Sequence, residues 1–227
     1  MTPVRRLRVC ATDGVCDDAN PAGRSPRQVC IAEASSLAAH GVSPASSRAN
    51  LVLDDGSGQL HPGALLTVGS VRLRVTLTCE PCAYGARLAG TPTRRFRNIV
   101  RWLAVVIDGG ELLDGDEAVV TAGVFPAAPD GFRERCAWAL DYVPPGRVVT
   151  NLEFLTAIGA GRSYARVLPR WLAPARTQGR PVHRVLTANL EPPSWAPDAP
   201  RWLANEGLDQ GQLNAGRYAL TQALWFS

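Results

Sequence analysis

Val71-Arg72-Leu73-Arg74-Val75-Thr76-Leu77-Thr78 runs straight into Cys79-Glu80-Pro81-Cys82. Val71, Leu73, Val75 and Leu77 alternate with Arg72, Arg74, Thr76 and Thr78, which is the period of a strand with one apolar face. Working outward, residues 102–107 form a continuous apolar run that reads as a buried strand. Asp108-Gly109-Gly110 reads as a hairpin turn, and Gly115-Asp116-Glu117-Ala118-Val119 closes the unit. Upstream, Gly23-Arg24-Ser25-Pro26 and Asp54-Asp55-Gly56-Ser57-Gly58 carry turn chemistry around the apolar runs at 29–32 and 51–53. Residues 34–40 suit one short helix, closed by Gly41. Short strands between Gly-rich turns predict a small β-barrel in the first half of the chain.

The second half changes period. Residues 150–158 place Leu152, Leu155 and Ile158 on one helical face. Gly159-Ala160-Gly161 is a turn, and Ser163 is a good N-cap for a second helix. That is helix-turn-helix spacing, with the second helix as the reader. Pro169 then falls inside the reader helix, where it costs about 3 kcal/mol or forces a kink. Residues 132–142 read as a further helix, with Cys136 in its core. Trp171, Trp195, Trp202 and Trp225 read as packing residues.

Composition limits the function classes. The chain has 227 residues, 46% of them apolar, which is room for one large or two small folded domains. All 24 basic residues are Arg, and the formal net charge is +4. From Arg147 to Arg184 there are seven Arg against the single acid Glu153. A block of that kind suits a phosphate backbone better than a merely solvated face. The six cysteines, at 10, 16, 30, 79, 82 and 136, are irregularly spaced and read as free thiols or metal ligands rather than a disulfide framework. No long apolar run follows the basic start, and residues 102–107 are too short to span a membrane. The expectation is a cytoplasmic protein with no membrane partner.

Within residues 1–122, several elements resemble the MOSC domain, found at the C-terminus of molybdenum-cofactor sulfurases and in some molybdenum oxidoreductases. They are Arg27-Gln28-Val29, the Arg-x-Asn-Leu of residues 48–51, His61-Pro62-Gly63, Cys79-Glu80-Pro81-Cys82 and the Asp-Gly-Gly…Leu-x-Gly-Asp of residues 108–116. The family's Gly-Asp and His-Gly-Gly elements near the start are missing here. The resemblance implies a β-barrel that handles molybdenum-cofactor sulfur through one cysteine, which maps to Cys82 as the catalytic residue. Cys79 and Cys82 form a Cys-x-x-Cys pair whose thiolates would bind a soft metal, Zn or Mo, or carry sulfur. The plainer alternative is two small thiols capping the barrel. A closed zinc site needs four ligands, and no second Cys-x-x-Cys exists.

Residues 132–227 resemble the O6-alkylguanine-DNA alkyltransferases. Pro181-Val182-His183-Arg184-Val185 stands where that family has Pro-Cys-His-Arg-Val, Val143-Pro144-Pro145-Gly146-Arg147-Val148 matches its turn into the first DNA-binding helix, and Trp202-Leu203-Ala204-Asn205-Glu206-Gly207 matches its Leu-Leu-x-x-Glu-Gly. Val182 has no nucleophilic atom, so alkyl transfer cannot run. The short form without the cysteine is similar to the alkyltransferase-like proteins, which bind alkylated DNA without repairing it. The resemblance implies a lesion pocket of Val182, His183, Arg184 and Glu206, with the glutamate holding the histidine. It also implies an arginine finger, assigned to Arg166, which is one place beyond the strict alignment. Asn151 stands where the family has its phosphate-rotating tyrosine. Arg147, Arg162, Arg170 and Arg176 would contact phosphates.

The combined expectation is an α+β chain of two domains. A MOSC-like β-barrel at 1–122 is joined by a linker, 123–131, to a mainly helical, winged helix-turn-helix-like alkyltransferase domain at 132–227. The main functional expectation is non-catalytic recognition and flipping of alkylated or modified bases in double-stranded DNA, with downstream repair proteins as possible partners. The competing one is a MOSC enzyme that binds molybdenum cofactor or carries sulfur, acting in redox or sulfur transfer and brought to DNA or nucleotides by the second domain.

Overall fold

In a computed structural model, residues 4–18, 22–54, 60–80 and 83–227 are described, apart from the side chains of Tyr84 and Arg95. Cys82 lies outside the described residues. The chain divides into two compact units, Met1–Ala128 and Pro129–Ser227. Within residues 123–131, read above as a linker, Phe125 and Pro126 are tied to the first unit. The Phe125 N–H donates to Gly63 O at 2.9 Å, and Arg74 donates to Pro126 O at 3.4 Å while its guanidinium lies over the Phe125 ring.

The first unit contains β1 (Arg6–Cys10), β2 (Gly14–Val15), β3 (Val29–Glu33), α1 (Ala34–Ala39), α2 (Pro44–Ser47) and β4 (Leu51–Leu53). After these come β5 (Leu65–Val68), β6 (Val71–Thr78), α3 (Ala83–Leu88), α4 (Thr93–Phe96), β7 (Arg101–Asp108), β8 (Gly110–Leu113) and β9 (Ala118–Thr121). Six strands form one sheet in the order β4-β3-β7-β6-β5-β9, and β2-β1-β8 form a second. Among the described residues neither sheet closes on itself, so the small β-barrel expected from short strands and Gly-rich turns takes the form of a curled half-barrel. Val29, Ile31, Leu73, Val75, Ala104 and Val106 fill its concave core. The four short helices cover the other face of the large sheet over Ala32, Leu37, Ala86, Phe96 and Ile99.

Two local departures from the sequence expectation shape this unit. The first is at Asp108-Gly109-Gly110, which is a corner and not a hairpin. The chain bends from β7 into β8, and β8 pairs with β1 rather than folding back on β7. Gly109 is required there, because a Cβ would sit 2.7 Å from Val9 O. The second is in β6, the strand whose alternation is cleanest in the sequence. Its pairing with β7 slips between Val75 and Leu77, a β-bulge at Thr76. Before the bulge, Val71, Leu73 and Val75 face the concave core. After it, Leu77 pairs with Leu103 and Thr78 with Trp102, so Leu77 and the following Cys79 turn to the helical side. Re-aiming a side chain is what bulges do beside functional sites.

The second unit contains α5 (Phe132–Leu140), β10 (Val149–Thr150), α6 (Asn151–Ala157), a 3-10 segment (Arg162–Arg166), α7 (Leu168–Thr177), a 3-10 turn (Val182–Arg184), β11 (Val185–Leu186), α8 (Ala199–Asn205) and α9 (Leu220–Trp225). Thr150 caps α6, its Oγ1 accepting from the Glu153 N–H at 3.1 Å. The second helix does not begin at Ser163. Residues 162–166 wind as 3-10, and α7 starts at Leu168 with Pro169 in its first turn, where the missing N–H costs nothing. The interior proline is Pro174. Trp171 stacks on Phe132 at 4.8 Å, and Trp225 is fully buried, its Nε1–H donating to Ala157 O at 2.7 Å. Trp202 is not a core residue, being 54% exposed. Among the described residues no helix is long and apolar enough to cross a membrane.

Candidate functional site

The bulge in β6 brings two thiols together. β3 and β6 flank β7, and Cys30 on β3 is opposite Leu103, which is itself opposite Leu77. Cys79, just beyond β6, donates its N–H to Arg101 O at 2.8 Å. Opposed residues share a face, so Cys30, Cys79 and Arg101 all point into the layer under the helices. Cys30 and Cys79 hydrogen-bond through their sulfurs.

The surroundings favour a thiolate on Cys79. The hydrogen bond from Cys30 lowers its pKa most; burial opposes this, and the positive charges of Arg101 and Arg27 add to the lowering, with the result held down to about 7. Cys30, the donor, is pushed far up. Arg27 is ion-paired with Glu80. Arg101 has no such carboxylate among the described residues. It is 4% exposed, stacks over Phe96 at 4.3 Å and donates from Nη1 to Ser47 O at 3.4 Å, and its buried Nε has no hydrogen-bond partner. A buried guanidinium with an unfilled donor beside a thiolate is a place for an anion.

The residues that hold this site are the ones whose short patterns stood out in the sequence. Asn50 clamps Cys30 from both directions: its Oδ1 accepts the Cys30 N–H at 2.8 Å, and its own N–H donates to Cys30 O at 2.8 Å. Gln28, 4% exposed, donates from Nε2 to Ala11 O and Gly23 O and accepts the Val106 N–H at 2.9 Å. Cys30 and Arg101 carried no signal of their own, because each sits in an ordinary strand sequence. The Cys-x-x-Cys pattern points to the right place only through Cys79. Among the described residues no group of three His, Cys, Asp or Glu comes together as a bare metal ion would need.

In the second unit the structure joins part of the expected set. His183 Nε2 lies 2.9 Å from Glu206 Oε1. Arg184 reaches the same carboxylate through Nε at 3.0 and 3.1 Å and through Nη2 at 2.6 Å, and the Gly146 N–H donates to it at 3.1 Å. Burial alone would raise the Glu206 pKa, but the Arg184, His183 and Gly146 hydrogen bonds outweigh it and hold it at about 2. Trp202 stacks on His183 at 5.9 Å. Val182 is buried at 5% exposure, so it is packed into the unit. A cavity of about 430 Å³ in this unit is lined by Thr150, Glu153, Thr156, Arg162 and Arg217, away from Val182 and His183. Arg162, Arg166 and Arg170 are exposed. Arg166 ends the 3-10 segment instead of lying in a reader helix. Arg147 is exposed and donates to Ala215 O at 3.2 Å, Arg176 is engaged by Asp198 at 3.2 Å, and the Asn151 Oδ1 is buried without a partner. Cys136 is a core thiol, pushed up to about 12 by burial.

The family comparison coincides with the thiol site: the MOSC domain model matches residues 22–119, from before β3 to within β9. Residues 22–119 are a MOSC domain. Three solved structures resemble the chain more distantly. One is described only as a hypothetical protein; it is 18% identical with a TM-score of 0.45, over 77% of this chain and 83% of that one. YiiM from Geobacillus stearothermophilus is 13% identical with a TM-score of 0.46, over 76% and 87%. YiiM from Escherichia coli is 17% identical with a TM-score of 0.42, over 77% and 87%. No curated protein matches the chain. Cys30, Cys79, Arg27, Glu80 and Arg101 all fall inside the MOSC match, and the family match ends before the second unit begins.

Proposed function

We propose that the MOSC domain works through a thiolate at the end of β6, carrying sulfur or binding a molybdenum cofactor for redox or sulfur transfer. The observation behind this reading is Cys79, with its lowered pKa, beside the buried Arg101, whose Nε has no hydrogen-bond partner. These residues suit the cofactor: Cys79, with Cys82 three places on, offers soft sulfur, and Arg101 and Arg27 offer positive charge to an anionic group. When bound, a molybdenum cofactor supplies two-electron chemistry. The chain's own residues hold the thiolate, exclude water over Phe96 and balance charge. Purified protein is expected to contain molybdenum or sulfane sulfur, falling to background in both Cys79→Ser and Cys82→Ser. Equal content in wild type and the two variants overturns the reading.

A second reading, carried by the His183–Glu206 hydrogen bond and the exposed Arg162, Arg166 and Arg170, is that the second unit binds double-stranded DNA and presents it, or its modified bases, to the chain. The contact by Arg166 is expected to favour duplexes with a modified base, because a side chain that replaces a flipped base acts only in the flipped complex. Paired titrations of Arg166→Ala with lesion and normal duplexes, each at two salt concentrations, test it. Equal loss on both duplexes makes Arg166 a phosphate contact, and salt-independent or absent binding removes the DNA reading altogether.

A further inference from the structure

The half-barrel of the first unit has a cavity of about 570 Å³ where it fails to close, and two strands border it. Arg5, Arg6 and Leu7 line one side, and Leu51, Val52 and Leu53 of β4 line the other. Among the described residues β4 is the last strand of its sheet and pairs only with β3, so its outer edge carries unpaired backbone groups. β1 offers a second edge. The Asp114 N–H donates to Arg5 O at 3.0 Å, so Arg5–Asp114 and Leu7–Leu112 are the pairs that exchange ladder bonds with β8. The Arg6 N–H and C=O therefore point the other way. On that side β2 pairs only with Val9 and Cys10, and the Cys16 N–H reaches Arg8 O. Among the described residues no strand meets the outward backbone groups of Arg6.

The walls of the gap are apolar. Leu53 and Leu112 belong to the concave core, and Leu7 and Leu51 pack against it half-buried. Val4 and Leu113, at the mouth, are 66% and 48% exposed. The mouth also carries charge. Arg6 is engaged by Glu111 at 3.3 Å. Arg5 is exposed, and among the described residues no carboxylate reaches it, although Asp54 and Asp114 line the same cavity. A small apolar ligand would cover the leucines and leave both backbone edges unmet. An extended chain meets all three features at once: its backbone bonds to the two edges, its inward side chains cover the leucines, and an acid at one end faces Arg5.

We propose that this gap is a docking site for an extended segment of a partner protein, which adds as a strand between β1 and β4. The segment has apolar side chains at alternate positions and an acidic side chain beside Arg5. The main-chain bonds supply affinity and the alternate side chains supply specificity. At a rise of about 3.3 Å per residue, roughly three or four residues of the segment fill the gap. The site goes beyond the Cys79 chemistry and stands whether or not the protein holds molybdenum or sulfane sulfur.

The probe is a phage-displayed library of random short peptides, selected on the full-length protein, with the enriched sequence then made synthetically. Enriched peptides are expected to alternate apolar residues and to carry an acid at one end. Bound peptide is expected to slow hydrogen exchange at Arg6 and in β4. Methylating alternate backbone nitrogens of the peptide is expected to weaken binding by about tenfold or more, since each lost main-chain bond counts. Arg6→Pro removes the outward N–H and leaves the ladder bonds of Arg5 and Leu7 to β8 in place. It is expected to weaken binding to the same extent, with circular dichroism confirming the fold. Arg5→Glu is expected to weaken binding too, and a peptide with Lys in place of its acid to recover it. No enriched peptide, exchange unchanged at Arg6 and β4, or full affinity for the methylated peptide overturns the proposal. So does a free protein that is already a dimer with these same amides protected, because the occupant is then a second copy of this chain.

Discussion

Glu206→Ala is expected to destabilise the second unit by about 3–5 kcal/mol, the cost of stripping the counter-charge from a buried ion pair. Glu206 is the common acceptor for Arg184, His183 and the Gly146 N–H, and the side chains of Arg184 and His183 are only 12% and 14% exposed. With alanine there, the His183 imidazole and the Gly146 N–H lose this acceptor, and the Arg184 guanidinium loses its counter-charge and keeps only Val143 O. Five of the six tryptophans lie in this unit, so denaturant unfolding followed by tryptophan fluorescence reads the loss directly. The same carboxylate makes the unit acid-sensitive. Its pKa is depressed from 4.5 to about 2 in the folded state, so the stabilisation is complete above about pH 4.5 and is lost as the pH falls toward 2. Glu206→Ala is expected to abolish that acid-dependent part of the unfolding curve. A variant as stable as wild type would show that Arg184 and His183 find other partners.

Cys30→Ala is expected to slow alkylation of Cys79 at pH 7 by up to roughly fiftyfold, the limit reached if its pKa returns from about 7 to the ordinary 9.0. The Cys30 hydrogen bond is the largest single contribution to the thiolate, so removing the donor acts directly on ionisation. Cys30→Ser, whose hydroxyl can still donate, is expected to restore much of the rate. That rescue separates the hydrogen bond from a packing defect. Arg101→Met keeps the length of the side chain and removes the charge; it is expected to shift the alkylation midpoint upward by a smaller amount, since Arg101 ranks below the hydrogen bond and burial. Equal rates in wild type, Cys30→Ala and Arg101→Met would mean that neither group stabilises the thiolate.

The strands were legible in the sequence, because period-two alternation and Gly-rich turns are local signals. The alternation at Val71–Thr78 located β6, but it could not show the bulge at Thr76, which comes from pairing with β7 some 25 positions later in sequence. The turn at Gly109 was legible as glycine chemistry and misread as a hairpin, since the reason for the glycine is the backbone of Val9 pressing on it from β1. Pro169 argued against a helix starting at Ser163, and the chain resolves the conflict by delaying α7 until the proline falls in its first turn. At the site, Cys79 was visible as half of a Cys-x-x-Cys pair. Cys30 and Arg101 were not, because only the order β3-β7-β6 brings them beside it. Gln28 and Asn50 stood out as motif residues, and the structure gives the reason: they fasten the strand that carries Cys30.

The central claim is a thiolate on Cys79 at neutral pH, produced inside the MOSC domain by Cys30, Arg101 and Arg27. The rate of iodoacetamide alkylation of Cys79 in the wild-type protein, followed by peptide mapping from about pH 5 to pH 10, tests it most directly. The account predicts a single rise with its midpoint near 7, within about one unit. A Cys79 that stays unreactive until the ordinary thiol range near 9 would contradict it.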